Sequence, residues 1–374
     1  MKLLFVAVRF HTNQVPLVRA LSAAGHEVRF EVLCEGKSED HSVVRPNLMP
    51  IAALPRLLLR RRAPANPVAY HADHTYPSVG WYLRRLRALA PDVVVIRDPS
   101  RPYAWRAAVA ARLLGRRIVF YTQGDVHGRP KRFRKWMRAA WIAAFDAVWF
   151  SPVPGDPALP KVHPDMHYVP FAADLSRPTK ASWFADDRVH LLSIGKFVLR
   201  KNHALLLEAF DELRRTYDVH LTLVGEVSTD EHRAHHAEIV ELIRRRSLGD
   251  HVAVRTNVPF GELRRLYLEH DVFVLPSRLE PASVSVLEAM SHGLPVVCST
   301  SSGTRWYLEA GRNGRVFASD DLGDLVRKLD AVVADRPSIV RMGNASRELA
   351  ESVHHPDRVV EGLMAMIRRW RGAA

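Results

Sequence analysis

Cysteine is scarce in this chain, which has only Cys34 and Cys298 among its 374 residues. Two cysteines so far apart in sequence do not indicate the disulfide framework of a small secreted domain. We therefore expect a reducing, cytoplasmic location. Neither cysteine has a metal-ligand neighbour at a recognisable spacing, so the sequence predicts no metal site.

Long apolar runs are also missing. The first one, Met1–Val8, is broken by Arg9 and is too short for a signal peptide or a membrane span. No later stretch approaches spanning length. With 47% hydrophobic and 25% charged residues, the composition is typical of a soluble globular protein. The length allows two domains, each with a full core.

Acidic residues are few in one half of the chain. Residues 1–175 contain 26 Lys and Arg against 13 Asp and Glu, a net charge of +13. Residues 176–374 contain 28 against 27, a net charge of +1. This asymmetry indicates an anionic partner for the first half. The alternative is an Arg-rich surface that only keeps the protein in solution.

Apolar runs alternate with helical patterns along the whole chain, which predicts parallel, doubly wound α/β sheets. We predict strands in the first half over Leu3–Val8, Val28–Leu33, Pro91–Ile96, Arg116–Tyr121 and Asp146–Ser151. In the second half we predict strands over His190–Ile194, His220–Val224, Val252–Asn257 and Val272–Leu275. Pro170 and Pro178 are breaking signals that predict a linker at Ser176–Asp187.

The segment Arg278–Val297 stands out because it joins a buried strand to two carboxylates, Glu280 and Glu288, eight residues apart. Pro281 suits the first position of a helix, so we predict a helix N-terminus that carries Glu280, Ala282 and Ser283. Free N–H groups at such an end favour a bound phosphate. The alternative is a surface helix with two solvated acids.

This Glu-x7-Glu spacing, followed by Ala-Met-x-x-Gly-Leu-Pro-Val-Val, resembles the donor-site motif of the retaining glycosyltransferases of family 4. The resemblance implies the GT-B fold, an α/β architecture of two doubly wound Rossmann-like domains that face each other across a cleft. Residues 1–175 would form the acceptor-side domain and residues 176–355 the nucleotide-sugar-binding domain. A C-terminal helix, 356–374, would pack back on the first. Ser283 departs from the Gly that the family often has.

The resemblance also assigns donor-binding roles in the second half. Glu280 would hold the hydroxyls of the donor sugar and Glu288 the ribose. Lys196 and Lys201 would grip the diphosphate, although the family usually has Arg at the first position and a Lys contacts phosphate only as a point charge. The remaining donor-binding candidates are Gly195, Ala282, Ser283 and Val284, with Asn257 and Val258 at the nucleobase.

Candidates in the first half follow predicted strands. Gln123 stands where the family's Thr-x-His-Gly pattern has its His, and the nearby His127 is a second catalytic candidate. The acceptor-side candidates are Arg9, His11, Asn13 and Asp125. The loop that contains the first three has no glycine, where the family often has several. For each of these side chains, a solvated loop position is the alternative.

Two basic segments, Leu54–Arg62 and Lys131–Phe145, combine cations with apolar residues, a composition that suits a membrane interface. The second predicts a helix with an apolar stripe of Phe133, Trp136, Met137, Ala140, Trp141 and Ala144. The alternatives are a core-packed helix with a solvated basic face, or contact with a soluble anionic glycan.

The sequence thus predicts a retaining enzyme that moves a sugar from a nucleotide-diphosphate donor to an acceptor hydroxyl, in surface glycan or glycolipid synthesis. The expected partners are a nucleotide sugar, a glycan or lipid-linked acceptor and an anionic membrane surface, with no cofactor and no nucleic acid. We expect peripheral attachment to the inner face of the membrane. The alternatives are a GT-B sugar-nucleotide epimerase or phosphorylase and, from another class, a basic nucleic-acid-binding protein.

Overall fold

In the computed structural model of the protein, residues 1–36, 40–52, 74–129, 132–176 and 178–369 are described. The chain divides into two compact units. The first contains Met1–Ala172 together with Pro356–Ala374, and the second contains Ala173–His355. The basic run at Leu54–Arg62 lies entirely outside the described residues.

Within the described part of the first unit, a parallel sheet has seven strands in the order β3-β2-β1-β4-β5-β6-β7. The strands are β1 (Lys2–Ala7), β2 (Glu27–Val32), β3 (Asn47–Leu48), β4 (Val93–Arg97), β5 (Arg117–Tyr121), β6 (Ala147–Ser151) and β7 (Met166–Tyr168). The central strands are continuous apolar runs because helices cover a doubly wound sheet on both faces. The first-unit helices up to this point are α1 (Val15–Ala23), α2 (Val79–Leu89), α3 (Pro102–Leu113) and α4 (Arg132–Phe145).

The second unit repeats this architecture, with six parallel strands in the order β10-β9-β8-β11-β12-β13 among its described residues. The strands are β8 (Val189–Ile194), β9 (Val219–Gly225), β10 (Val252–Thr256), β11 (Val272–Leu275), β12 (Val296–Ser299) and β13 (Gly314–Phe317). Its helices are α5 (His203–Leu213), α6 (Asp230–Arg245), α7 (Phe260–Glu269), α8 (Val284–Ser291), α9 (Leu322–Val333) and α10 (Arg336–Val353). Two Rossmann-like domains are therefore present, as the sequence predicts.

The last described helix, α11 (Pro356–Arg369), returns to the first unit, where it packs against α1. The described residues of the predicted linker belong to the second unit. Lys180 is one of them, and its ammonium lies 3.3 Å from the fully buried carboxylate of Asp271. The same carboxylate accepts the N–H groups of Phe184 at 3.1 Å and His190 at 2.9 Å. These bonds fix the segment that leads into β8.

One predicted helix boundary is wrong. The helix after β11 begins at Val284, with Ser283 as its N-cap, so Pro281 is not in its first turn. Glu280 lies in the preceding loop because its backbone pairs with the loop after β12. Its N–H donates to Ser301 at 3.2 Å, and its carbonyl accepts from Gly303 at 2.8 Å. These bonds keep the chain extended, and the helix starts only after they end.

Both cysteines are free, and Cys298 is buried. In the described ranges, no helix combines the length and the apolar character that crossing a bilayer requires.

We predict that Gly343→Ala destabilises the second unit. Gly343 lies inside α10, and a β-carbon there would lie less than 3 Å from the Gly293 carbonyl oxygen and from the Trp183 ring. Overpacking of this kind costs about 1–3 kcal/mol. Urea unfolding measures the free energy. The matched control is Gly261→Ala in α7 of the same unit, where a β-carbon meets nothing within 4 Å. An equal effect of the two substitutions would contradict the packing argument.

Candidate active site

The candidate donor site lies at the carboxyl edge of the second sheet, which is where ligands bind in open α/β sheets. Four neighbouring strands, β8, β11, β12 and β13, end there, and the loops that follow them are joined by hydrogen bonds. The N–H of Arg278 in the loop after β11 donates to the Arg200 carbonyl in the loop after β8, at 2.7 Å. The Oγ of Ser299 at the end of β12 donates to the Ser277 carbonyl at 2.5 Å.

Lys201 is placed by the loop after β8. A short 3-10 turn, Leu199–Lys201, ends at Asn202, whose φ of 55° turns the chain into α5. The aliphatic stem of Lys201 packs over Gly195, where a β-carbon would lie 3.0 Å from two of its carbons. A side chain at position 195 would therefore require the Lys201 stem to shift by a few tenths of an ångström. Glycine at position 195 therefore leaves room for the Lys201 stem.

The ammonium of Lys201 meets the carboxylate of Glu280. Lys201 Nζ donates to Glu280 Oε2 at 2.6 Å, and the guanidinium of Arg200 donates to the same oxygen at 2.5 Å. Lys201 is 8% exposed and Glu280 7%, whereas the Arg200 side chain is about half-exposed. The structure thus brings together two of the predicted residues, and it adds Arg200, to which the sequence analysis gives no role.

Burial and charge oppose each other in this cluster. Burial acts to raise the pKa of Glu280, but the Lys201 and Arg200 cations outweigh it and hold that pKa below its ordinary value. The pKa of Lys201 also lies below its ordinary value, because burial outweighs the attraction of Glu280. Burial lowers the pKa of the neighbouring His203 to about 3, so that ring is neutral at physiological pH. Glu280 is consequently an ionised carboxylate held by two cations.

Lys196, the other predicted diphosphate ligand, does not join this cluster in the structure. Its ammonium pairs with Glu226 at 2.9 Å, and both side chains are partly exposed. Glu226 follows Gly225 at the end of β9 and also accepts from the Ser228 hydroxyl at 2.5 Å. Sequence reasoning missed Glu226, because nothing in its local pattern shows that it reaches across to the lysine.

Asp320, after β13, was also missed. Its carboxylate accepts from the Asn202 side-chain amide at 3.1 Å and from the Arg278 guanidinium. Asn202 directly follows Lys201, and Arg278 lies two residues before Glu280. Asp320 therefore ties together the two loops that carry the central ion pair. Its backbone has a φ of 63°.

The N-terminal region of α8 carries three further candidates. Ala282 and Ser283 are buried, and Val284 is half-buried at the first helical position. Glu288, one turn further along α8, accepts a hydrogen bond from the Tyr267 hydroxyl at 2.9 Å. The ring of Tyr267 is buried and stacks on His292, so the hydroxyl that orients Glu288 is itself fixed.

Asn257 and Val258 follow β10. The side chain of Asn257 accepts from the Val227 N–H at 2.9 Å and donates to the Val227 carbonyl at 3.1 Å. It therefore joins the loops after β9 and β10, and it does so with a left-handed φ of 52°. Val258 is half-buried beside it.

The catalytic candidates of the first unit lie after β5. The Gln123 amide donates to the Tyr121 hydroxyl at 3.4 Å. The His127 Nδ1 is 2.9 Å from the Leu159 carbonyl, so that nitrogen serves the loop structure. Asp125, between them, is exposed.

The loop after β1 contains the other acceptor-side candidates. The Arg9 guanidinium is 3.5 Å from His11 Nδ1, and the His11 N–H donates to the Gln14 side chain at 3.1 Å. Asn13 lies in a 3-10 turn, Thr12–Gln14, and is half-buried. Across the described ranges, no group of three or more His, Cys, Asp or Glu side chains could hold a metal ion.

Comparison with known proteins agrees with this geometry. Residues 179–349 match the family described as glycosyl transferases group 1. The lipopolysaccharide core biosynthesis glycosyltransferase LpsE of Rhizobium meliloti is 30% identical over 162 residues, which cover 42% of this chain and 43% of LpsE. A GDP-mannose-dependent phosphatidylinositol monomannoside mannosyltransferase of Mycolicibacterium smegmatis is 28% identical over 176 residues, 44% of each chain. The chain thus spans less than half the length of either relative.

Solved structures resemble the whole chain. A sucrose-phosphate synthase of Thermosynechococcus elongatus superimposes with a TM-score of 0.72 at 17% identity, covering 100% of both chains. HepE of Anabaena in complex with UDP gives a TM-score of 0.72 at 13% identity, covering 99% of this chain and 100% of HepE. At these identities the likeness shows a shared GT-B fold. The resemblance inferred from the Glu-x7-Glu segment is confirmed: residues 179–349 match the family of glycosyl transferases group 1, within a chain of GT-B fold.

Proposed function

We propose that this chain is a retaining, family 4-like glycosyltransferase. It moves a sugar from a nucleotide-diphosphate donor to an acceptor hydroxyl in the synthesis of a surface glycan or glycolipid. The observation that carries the proposal is the buried pair of Lys201 and Glu280, joined by the half-exposed Arg200, which lies inside the family match.

The cluster suits the charge that develops in this reaction. When the bond between the sugar and the diphosphate breaks, negative charge collects on the departing phosphate, and preorganised cations stabilise it there. Lys201 has three N–H donors and Arg200 five, so both cations can contact phosphate while they still hold Glu280. Glu280 would accept hydrogen bonds from hydroxyl groups of the sugar beside the breaking bond. Glu288, oriented by Tyr267, would accept hydrogen bonds from the ribose hydroxyls.

The chemistry of Glu280 supports the retaining reaction that we propose. A carboxylate held by two cations is a weak nucleophile and a weak base, since those cations stabilise its ionised form. Attack by the acceptor on the face that the phosphate leaves, with the departing phosphate taking the proton, needs neither property. Gln123 and His127 are the proposed catalytic residues of the first unit.

Two similar proteins suggest donors to test. HepE has been solved with UDP and with UDP-glucose, and the mannosyltransferase relative depends on GDP-mannose. The donor panel should therefore contain uridine and guanosine diphosphates first, with ADP beside them. An epimerase or a phosphorylase would be recognised in the same assay by its products.

Helix α4 supports attachment to an anionic membrane. Phe133 and Trp136 are 68% and 66% exposed, beside the exposed cations Arg132 and Lys135. Trp141 does not belong to this exposed set, because it packs edge-on against Phe120 in the core at 5.7 Å between ring centres. The predicted apolar stripe is therefore divided, with one part in the core and one part free for a bilayer.

We expect Lys201→Met to weaken binding of whichever of UDP, GDP or ADP binds the wild-type protein. Methionine keeps the packing against Gly195 and removes the charge. One charged hydrogen bond contributes about 1.5–3 kcal/mol, which corresponds to about 10–150-fold in Kd. Isothermal titration calorimetry measures it. Lys328→Met, in α9 of the same unit, is the control, and unchanged affinity in the Lys201 variant would remove this residue from the donor site.

Glu280→Gln should leave nucleotide affinity within about threefold and lower kcat for transfer by about 10–150-fold, the equivalent of one charged hydrogen bond. The substitution keeps the shape of the side chain and removes the negative charge that would accept hydrogen bonds from the sugar hydroxyls. Product formation and nucleotide release, measured together, separate transfer from hydrolysis of the donor. Wild-type kcat in this variant would contradict the proposed role of Glu280.

Phe133→Ser combined with Trp136→Ser should reduce flotation with vesicles that contain phosphatidylserine. Each nearby cation adds about 1 kcal/mol of attraction, and the aromatic rings anchor the helix in the interface. Binding should require the anionic lipid and decline as salt is raised. Leu113→Ser, equally exposed on α3, is the control. Equal recovery with and without anionic lipid would refute membrane attachment.

A further inference from the structure

Lys196 and Glu226 form an ion pair to which the proposed mechanism gives no role. The ammonium of Lys196, in the loop after β8, lies 2.9 Å from Oε2 of Glu226, in the loop after β9. The charge of Lys196 also reaches the proposed phosphate site. Burial is the main cause of the lowered pKa of Lys201, and the charge of Lys196 adds to it. The pair therefore lies beside the cluster around Glu280 without belonging to it.

The backbone on both sides of Lys196 is fixed. The Gly195 N–H donates to the Val224 carbonyl at 2.9 Å, and the Phe197 N–H donates to the Glu226 carbonyl at 3.5 Å. The Phe197 side chain is fully buried, whereas that of Lys196 is 44% exposed. The main chain thus holds the base of the lysine side chain near Glu226, and the flexible stem allows the ammonium to turn toward another anion.

Glu226 is well placed to hold this cation. Its Oε1 accepts from the Ser228 hydroxyl at 2.5 Å, and the Ser228 N–H donates to Nδ1 of His232 at 3.3 Å. Burial acts to raise the pKa of Glu226, but hydrogen bonds from Ser228 and Lys196 outweigh it and hold that pKa below its ordinary value. Glu226 is therefore an ionised carboxylate whose direction is set by the loop after β9.

The two groups of charges at this edge of the sheet differ in their balance. Around Glu280, two cations meet one carboxylate, which leaves one positive charge for a phosphate. Lys196 and Glu226 meet one to one, so their charges cancel. At the tetrahedral angle of an ammonium, a phosphate oxygen that shared Lys196 with Glu226 would lie about 4.7 Å from the carboxylate oxygen. Two negative charges repel each other at that distance. Lys196 can thus attract a phosphate fully only when it leaves Glu226.

We propose that Glu226 is a counter-ion that competes with the nucleotide for Lys196, and that it weakens binding of the free nucleoside diphosphate more than binding of the nucleotide sugar. Each phosphate of a nucleotide sugar carries a single negative charge. The terminal phosphate of the free nucleoside diphosphate carries about two at neutral pH, because its second pKa is about 6. The product therefore meets the stronger repulsion from Glu226 and gains more from Lys196. Glu226 thus favours release of the product over loss of the donor. This inference deepens the proposed function and depends on it.

The test uses the full chain with Glu226→Gln, Lys196→Met and the two substitutions combined. Glutamine keeps the shape of Glu226 and can still accept from Ser228, but it removes the charge. Glu309→Gln is the matched control. Glu309 pairs with Arg312 at 2.6 Å, and the two side chains are 53% and 43% exposed. Glu309 precedes β13, so it lies at the opposite edge of the same sheet.

Isothermal titration calorimetry with UDP, GDP and ADP, and with UDP-glucose, GDP-mannose and ADP-glucose, measures the affinities. For the nucleoside diphosphate that binds the wild-type protein, Glu226→Gln should lower Kd about two- to fivefold, which corresponds to the loss of one exposed ion pair. Kd for the matching nucleotide sugar should fall less. In the Lys196→Met background the same substitution should lose most of its effect, and Glu309→Gln should have none.

Three results overturn the inference: Glu226→Gln binds the nucleoside diphosphate no more tightly than the wild-type protein does, it tightens the nucleotide sugar equally, or it acts equally without Lys196. A merely structural role of Glu226 would lower the melting temperature and weaken both ligands. Nucleotide binding by the wild-type protein together with any of the three results refutes the inference alone. A wild-type protein that binds none of these nucleotides refutes the proposed function, and the inference with it.

Discussion

The buried carboxylate of Glu280 needs Lys201 and Arg200, and the arrangement of the second unit's loops depends on that need. A charge taken out of water is costly unless it is paired and hydrogen-bonded. Here one carboxylate oxygen accepts from both cations, at 2.6 and 2.5 Å. This pairing requires the loop after β8 and the loop after β11 to meet, and the backbone bond from Arg278 to Arg200 and the side chain of Asp320 hold them there.

The close approach of two strand ends is a second constraint on the carboxyl edge of the second unit's sheet. A β-carbon at Gly225 would lie 2.5 Å from the Gly195 carbonyl oxygen, so two strand ends meet without side chains between them. The space gained at Gly195 is filled by the stem of Lys201. The corresponding edge of the first unit's sheet has a different composition. Its loop after β1 has no glycine and offers Arg9 and His11, which suits recognition by side chains more than by backbone N–H groups.

The fold could be predicted because parallel strands covered on both faces appear as apolar runs, and β1, β4, β5 and β11 are such runs. Glu280, Lys201 and Gly195 could be found because their spacing is local. The sequence could not show whether Arg200 or Lys196 joins the cluster around Lys201. That depends on their ion pairs with Glu280 and Glu226, which are distant in sequence. The start of α8 was missed for a similar reason: the bonds that delay it come from the loop after β12. Trp136 and Trp141 belong to the same apolar stripe in the sequence. Only the position of Phe120, against which Trp141 packs, distinguishes the ring in the core from the exposed ring.

The two units use positive charge in physically different ways. The second unit contains 24 Lys and Arg against 26 Asp and Glu, a net charge of −2, so its few inward cations act at short range. Lys201 is buried, where salt screens charge weakly and the ammonium keeps a fixed position. Many cations of the first unit, Arg132 and Lys135 among them, are exposed, where attraction is broad and fades over about 10 Å at 0.1 M salt. Exposed charge gathers an anionic partner, whereas buried charge positions one. The proposed transfer of a sugar from a small donor to an acceptor at a surface would use both kinds of charge, and in this chain they lie in different units.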